Sequence, residues 1–178
     1  MKKRTFNPIE NHIDPQVKVS QLSKENLDEF NLNKDNCEWV KDLLDELNQN
    51  VEDVSDEDKF KQSHLNIKLK IGRKFKDDLG EYILMKTDID GQFFTECVKT
   101  LQTMKDMVHF SFQACFIDKR FEEHEEYEDL TEIFTDEEVY ELYFHSQALA
   151  DIKETIHEQL YLNIDSYPTI ESDDSTIN

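Results

Sequence analysis

The sequence predicts an α+β fold, a curved antiparallel β-sheet (a meander or an incomplete barrel) covered by a few amphipathic helices. Three observations carry this. HLNIKLKI and MVHFSFQACFI alternate apolar and polar residues with the period of two that a half-buried strand requires. The stretches around Trp39 and Ile156 place apolar residues three and four apart, as in a helix with one buried face. These helices flank the strands instead of alternating with them, which favours helices laid over one antiparallel sheet.

Taken in order, residues 1–12 are expected to be a flexible arm, since the opening carries Pro8 and little periodicity. An edge strand around Val17 and Val19 follows Pro15. From Asn36, a good N-cap residue, CEWVKDLLDELNQN sets Val40, Leu43, Leu44 and Leu47 on one face with Trp39 beside them, an amphipathic helix. VEDVSDED reads as a solvated loop. In HLNIKLKI, Leu65, Ile67, Leu69 and Ile71 point inward, and Asn66, Lys68 and Lys70 outward. GRKFKDDLG is expected as a loop, and Asp90-Gly91, between two β-rich runs, as a hairpin turn, because glycine accepts positive φ. MVHFSFQACFI turns Val108, Phe110, Phe112, Ala114 and Phe116 in, and His109, Ser111, Gln113 and Cys115 out. Residues 121–141 hold eleven acidic residues and no Lys or Arg, and read as an insertion outside the core, with a possible return strand at VYELYF. ALADIKETIHEQLYLN places Leu149, Ile152, Ile156 and Leu160 on one face of a last helix, which Asn163 and Pro168 help to end; residues 169–178 are expected as a disordered tail. The region 13–168 is thus one domain, within the range that a chain of 178 residues supports.

Charge and composition exclude several classes. With 41 acidic against 20 basic residues the net charge is -21, a field that repels nucleic-acid phosphate and anionic lipid and attracts basic proteins. No apolar run approaches the length of a membrane span, MKKRTFNPIE leads into no apolar signal core, and the expectation is a cytoplasmic protein without membrane contact. Cys37, Cys97 and Cys115, odd in number and widely spaced, form no disulfide framework. The three glycines are too dispersed for a nucleotide-phosphate loop.

Individual sites follow the same logic. FTECVKTLQT has Cys97 but Thr100 where a Cys-x-x-Cys pair would have its second thiol, so no metal is expected. His157-Glu158 lacks the second histidine of a zinc-protease helix, since Tyr161 holds that place, and Asp88-Ile89-Asp90-Gly91 lacks the later ligands of a calcium loop. No nucleophile–base set is apparent, so catalytic residues, cofactor and small-molecule substrate are all expected to be none. Against the acidic background, Lys59 to Lys76 contains six lysines and Arg73 with no acidic residue. Lys68, Lys70, Arg73, Lys74 and Lys76 are candidates for tracking a phosphate backbone; the competing reading pairs them across the sheet with Glu81 or Asp88.

The order of features from Leu65 to Ile170 resembles the YceD-like family, the large ribosomal RNA subunit accumulation proteins. That family carries a Cys-x-Arg-Cys-Leu turn; Cys97 and Leu101 match it, Lys99 stands for the arginine, and Thr100 departs from the second cysteine. On the late helix, Asp151, Glu154, Ile156, Glu158, Leu160 and Pro168 fall where the family pattern has them. The resemblance implies a non-enzymatic ribosome-biogenesis factor supporting accumulation of large-subunit ribosomal RNA. Combined with the charge reading, it suggests RNA contact through the Lys59–Lys76 segment and Lys99. A basic ribosomal protein would be held by the acidic spacer, with Glu122, Glu123, Glu125, Glu126 and Glu128 foremost. The rival expectation is an acidic chaperone or interaction module for a basic protein that never touches RNA.

Overall fold

A computed structural model describes residues 12–170. The expected arm, apart from His12, and the expected tail beyond Ile170 lie outside the described residues. The architecture is α+β: a six-stranded, mostly antiparallel open sheet with strand order β2-β3-β4-β5-β7-β6, and a separate two-stranded β1-β8 sheet. The strands are β1 (Gln16–Lys18), β2 (Asp28–Leu32), β3 (His64–Lys76), β4 (Gly80–Glu96), β5 (Thr103–Asp118), β6 (Glu132–Thr135), β7 (Glu138–His145) and β8 (Leu149–Asp151). The helices are α1 (Glu38–Leu47), α2 (Asp56–Gln62) and α3 (Ile152–Asn163).

One face of the sheet carries the main core. Leu65, Ile67, Leu69 and Ile71 of β3, with Ile83, Met85 and Ile89 of β4 and Phe112 and Phe116 of β5, join Val40, Leu43 and Leu44 of α1 and Ile152, Ile156 and Leu160 of α3. Each aliphatic side chain buried there contributes about 1.5–3 kcal/mol. Trp39 sits in the same cluster, and its indole N–H donates to the Ile13 carbonyl at 2.8 Å, tying the first described residues to α1. Asn48, just after α1, is buried; its Oδ1 accepts from the Phe94 N–H at 2.7 Å and joins the helix end to β4.

Several expectations are corrected. Asp90-Gly91 is not a turn: β4 runs straight through it, pairing Gly91 with Leu65 on one side and Val108 on the other. A Cβ on Gly91 would meet Val108 at 3.1 Å and Leu65 at 3.2 Å, so this glycine serves close packing inside a strand. The reversal lies at residues 77–79, where Gly80 takes φ +71, and GRKFK is the end of β3 instead of a loop. The acidic VEDVSDED run contains the start of α2, because Ser55 caps the Asp58 N–H and the acidic residues of its first turn precede Lys59 and Lys61 in the last. Leu149 belongs to β8 and not to the last helix, and α3 begins at Ile152. Cys115 points inward on the opposite face, into a second core with Tyr82, Leu84, Ile117, Tyr127 and Tyr140.

That second core corrects the reading of 121–141. Phe121, Tyr127, Ile133 and Tyr140 from within the acidic stretch pack against the far side of β4 and β5. Phe121 and Tyr127 meet edge-on with ring centroids 5.6 Å apart. The stretch also supplies β6 and the first half of β7, and β7 lies parallel to β5.

Candidate functional site: the open sheet face and the Cys97 turn

The sheet face opposite the main core is covered by the acidic stretch only toward one end. Toward the other, β2, β3, β4 and β5 present their outward residues, and register decides which meet. Asn31, Lys68, Asp88 and Ser111 align across the four strands, as do Glu29, Lys70, Lys86 and Gln113. They wall a shallow depression of about 450 Å³.

Strand parity sorts the sequence-predicted cations. Lys68 and Lys70, about 6.6 Å apart along β3, stand on the open face; Lys74 and Lys76 turn to the same side but are half-buried at its covered end, Lys74 opposite the buried Tyr82 and Lys76 near enough to Cys115 for its charge to act on the thiol. Arg73 does not join them: it points to the core side, where its guanidinium lies 3.2 Å from Glu81. Lys99 is also apart, on the turn after β4, at the strand end opposite Gly80 and Lys76, roughly 50 Å of extended chain away. Lys86, which lies outside the basic segment and carries no local sequence signal, is brought beside Lys70 by the β3–β4 register.

Carboxylates share this surface. Lys70 is 2.9 Å from Glu29, and Lys86 is paired with Glu138. Lys86, with Tyr140, draws the Glu138 carboxyl below the usual range. Ser111 donates to Asp88 at 2.9 Å. Asp90 lies between two histidines, 3.1 Å from His64 Nε2 and 3.8 Å from His109 Nδ1. Lys68, Lys74 and Lys76 have no carboxylate within salt-bridge distance among the described residues. No group of three or more His, Cys, Asp or Glu among the described residues is placed to hold a metal.

The Cys97 turn is a backbone device. Cys97 N–H donates to the Gln102 carbonyl at 2.9 Å, and its own carbonyl accepts from Leu101 at 2.8 Å. Leu101 takes φ +57 and is 74% exposed. The turn also fastens the end of the described chain: Val98 N–H donates to the Pro168 carbonyl at 3.0 Å, and Ile170 N–H to Cys97 Sγ at 3.4 Å. A hydrogen bond from Thr100 and that from Ile170 stabilise the thiolate and bring the Cys97 pKa down to about 7, against the opposing effect of its burial. Thr100 thus serves the sulfur as a hydrogen-bond partner. Burial pushes the Cys115 thiol up to about 12.

The remaining motif residues are placed by α3. Asp151 is its N-cap, with Oδ1 accepting from the Glu154 N–H at 2.9 Å, while Glu154 and Glu158 face solvent. In the acidic stretch, Glu122, Glu123, Glu125, Glu126 and Glu128 are all exposed, and the inward side chains of Phe121 and Tyr127 hold them against the sheet.

The fold and these surfaces together define an α+β protein with a lysine-bearing open face and a fixed acidic flank. In comparisons with protein families, curated proteins and solved structures, none matches this chain. No helix among the described residues is long and apolar enough to cross a membrane.

Proposed function

We propose that the protein is a non-enzymatic binding factor of the YceD-like type, cytoplasmic, which supports accumulation of large-subunit ribosomal RNA during ribosome biogenesis. Its acidic flank holds a basic ribosomal protein, and the lysines of its open face reach RNA locally. The observation that carries the reading is the fixed display of Glu122, Glu123, Glu125, Glu126 and Glu128 on an aromatic anchor, in a chain of net charge -21. A surface already ordered loses less conformational entropy on binding than a free acidic loop does. RNA contact falls first to Lys68 on the open face, with the half-buried Lys74 and Lys76 further along the same strand, because the partners of Lys70, Lys86 and Arg73 already neutralise them.

The test measures binding of the purified protein to large-subunit ribosomal RNA and, separately, to isolated basic ribosomal proteins over a salt series. RNA affinity should fall steeply with salt and fall further in a Lys68→Glu, Lys74→Glu, Lys76→Glu variant. Basic-protein affinity should be insensitive to that variant and respond to reversal of the five glutamates. Salt-insensitive RNA binding would remove the RNA half and leave the acidic-chaperone alternative. Absence of both activities would remove the proposal.

A further inference from the structure

β5 pairs with β4 from Thr103 to Phe116, but with β7 only from Ala114 to Asp118. Its first part, Thr103–Gln113, therefore keeps one edge without a strand neighbour among the described residues. The bond from Cys97 N–H to the Gln102 carbonyl fixes which groups that edge presents. In an antiparallel ladder, alternate residues turn both backbone groups toward the partner. Counting from that pair, Met104, Asp106, Val108, Phe110 and Phe112 face β4, and Thr103, Lys105, Met107, His109 and Ser111 turn their N–H and C=O outward. The Met107 N–H is consistent with this, since its acceptor at 2.9 Å is the Asp106 carboxylate and not β4.

An unpaired run of this length is a template for another strand. The side chains of Lys105, Met107, His109 and Ser111 are exposed, Met107 at 71%. Charge selects the occupant. The edge ends at the β6–β7 turn, where Gln113 Nε2 donates to the Val139 carbonyl and Asp136, Glu137 and Glu138 are exposed. A second copy of the chain would bring its own net charge of -21 to this edge, and the field opposes it; a cationic segment is drawn in.

We propose that the free edge of β5 takes up an extended, lysine- or arginine-rich segment of a partner protein as an added strand. The main chain of Lys105, Met107, His109 and Ser111 holds the strand, and Asp136 and Glu137 orient its charge. This deepens the protein-side half of the function proposed above and rests on it.

The probe is a short acetylated peptide alternating lysine with threonine or valine, compared with the same peptide N-methylated at every second residue. The unmodified peptide should slow amide exchange at Lys105, His109 and Ser111, and the methylated one should bind about tenfold more weakly, as expected from losing two hydrogen bonds. His109→Pro should weaken binding similarly: it removes an outward N–H, and an edge strand tolerates proline. Far-UV circular dichroism and the urea midpoint report whether that variant folds. If it does not, the Asp136→Lys, Glu137→Lys variant, which keeps every edge N–H and the Lys86–Glu138 pair, should lower affinity at low salt. Equal binding of both peptides, or protection confined to Glu122–Glu128, overturns the edge proposal. Basic ribosomal proteins that bind the folded His109→Pro variant undiminished overturn the edge but leave the broader function standing. If they fail to bind the wild-type chain, the protein-side half of that function falls, and the edge proposal with it.

Discussion

Replacing Tyr127 by alanine should cost about 3 kcal/mol of stability and release the acidic stretch. Tyr127 is 8% exposed and belongs to the second core, with Phe121 edge-on at 5.6 Å. Burial, then the charges of Glu126 and Asp78, raise its hydroxyl pKa. A buried aromatic removes roughly 150–250 Å² from water, worth about 4–6 kcal/mol at ~25 cal/mol per Å². Alanine keeps part of that and the stretch relaxes, so the lower end of the 3–5 kcal/mol that aromatic truncations cost is appropriate (about 3 kcal/mol). Tyr127→Phe keeps the ring and should stay within about 0.5 kcal/mol. Urea unfolding gives the global cost, and a glutamate-specific protease reads release of Glu122–Glu128 directly. A Tyr127→Ala loss under about 1 kcal/mol with unchanged cleavage would show that the stretch is not anchored, and would remove the fixed acidic flank on which the proposed function stands.

Other perturbations probe other joints. Asn48→Ala leaves the buried Phe94 N–H without its acceptor and should cost about 2 kcal/mol, read from urea midpoints. Leu101→Gly should raise the melting temperature, since glycine relieves the φ +57 conformation at a site with little burial to lose; the gain is at most about 1 kcal/mol. Cys97→Ser should remove a pH dependence. A thiol pKa lowered from 9.0 to about 7 adds stability that is full above pH 9 and is lost as pH falls toward 7, so wild type should gain on the variant between those values in paired urea titrations. The same variant should bind no less zinc than wild type, and stoichiometric zinc in protein purified without added metal would contradict the absence of a metal role at Cys97.

Periodicity made the main core legible. Leu65 to Ile71 and Val108 to Phe116 show the alternation because one side faces α1 and α3 and the other is largely open. The signal failed where both faces of the sheet are covered. Cys115 sits at an outward position of β5, yet the acidic stretch folds over it, and composition conceals this because its aromatics are scattered among glutamates. Asp90-Gly91 misled for a related reason: a glycine that makes room for Leu65 and Val108 inside a strand looks locally like one that makes a turn. β2 and β6 are short edge strands whose sequences, DEFNL and EIFT, carry too little alternation to stand out.

For the site, the basic segment was visible but its geometry was not, because a one-residue step along a strand moves a side chain to the other face. That step sends Arg73 to Glu81 and turns Lys74 to the other side, opposite Tyr82 of the second core. The cross-strand register then decides how much positive charge is left to use. Glu29 is distant from Lys70 in sequence and Glu138 from Lys86, yet pairing brings each beside its lysine. Exposed pairs of this kind add little stability, about 0–1 kcal/mol each. Their consequence is for the field: the open face keeps a cation at Lys68 that is unpaired among the described residues, with Lys74 and Lys76 half-buried at its covered end, while the molecule around it stays acidic. A polyanion held by charge contacts alone loses affinity as salt rises, with a log–log slope of about -2 for three contacts to a single strand, whereas a basic segment on the β5 edge gains main-chain hydrogen bonds that salt does not screen. The ratio of the two affinities at rising salt therefore separates the two halves of the proposed function, with the RNA half lost first.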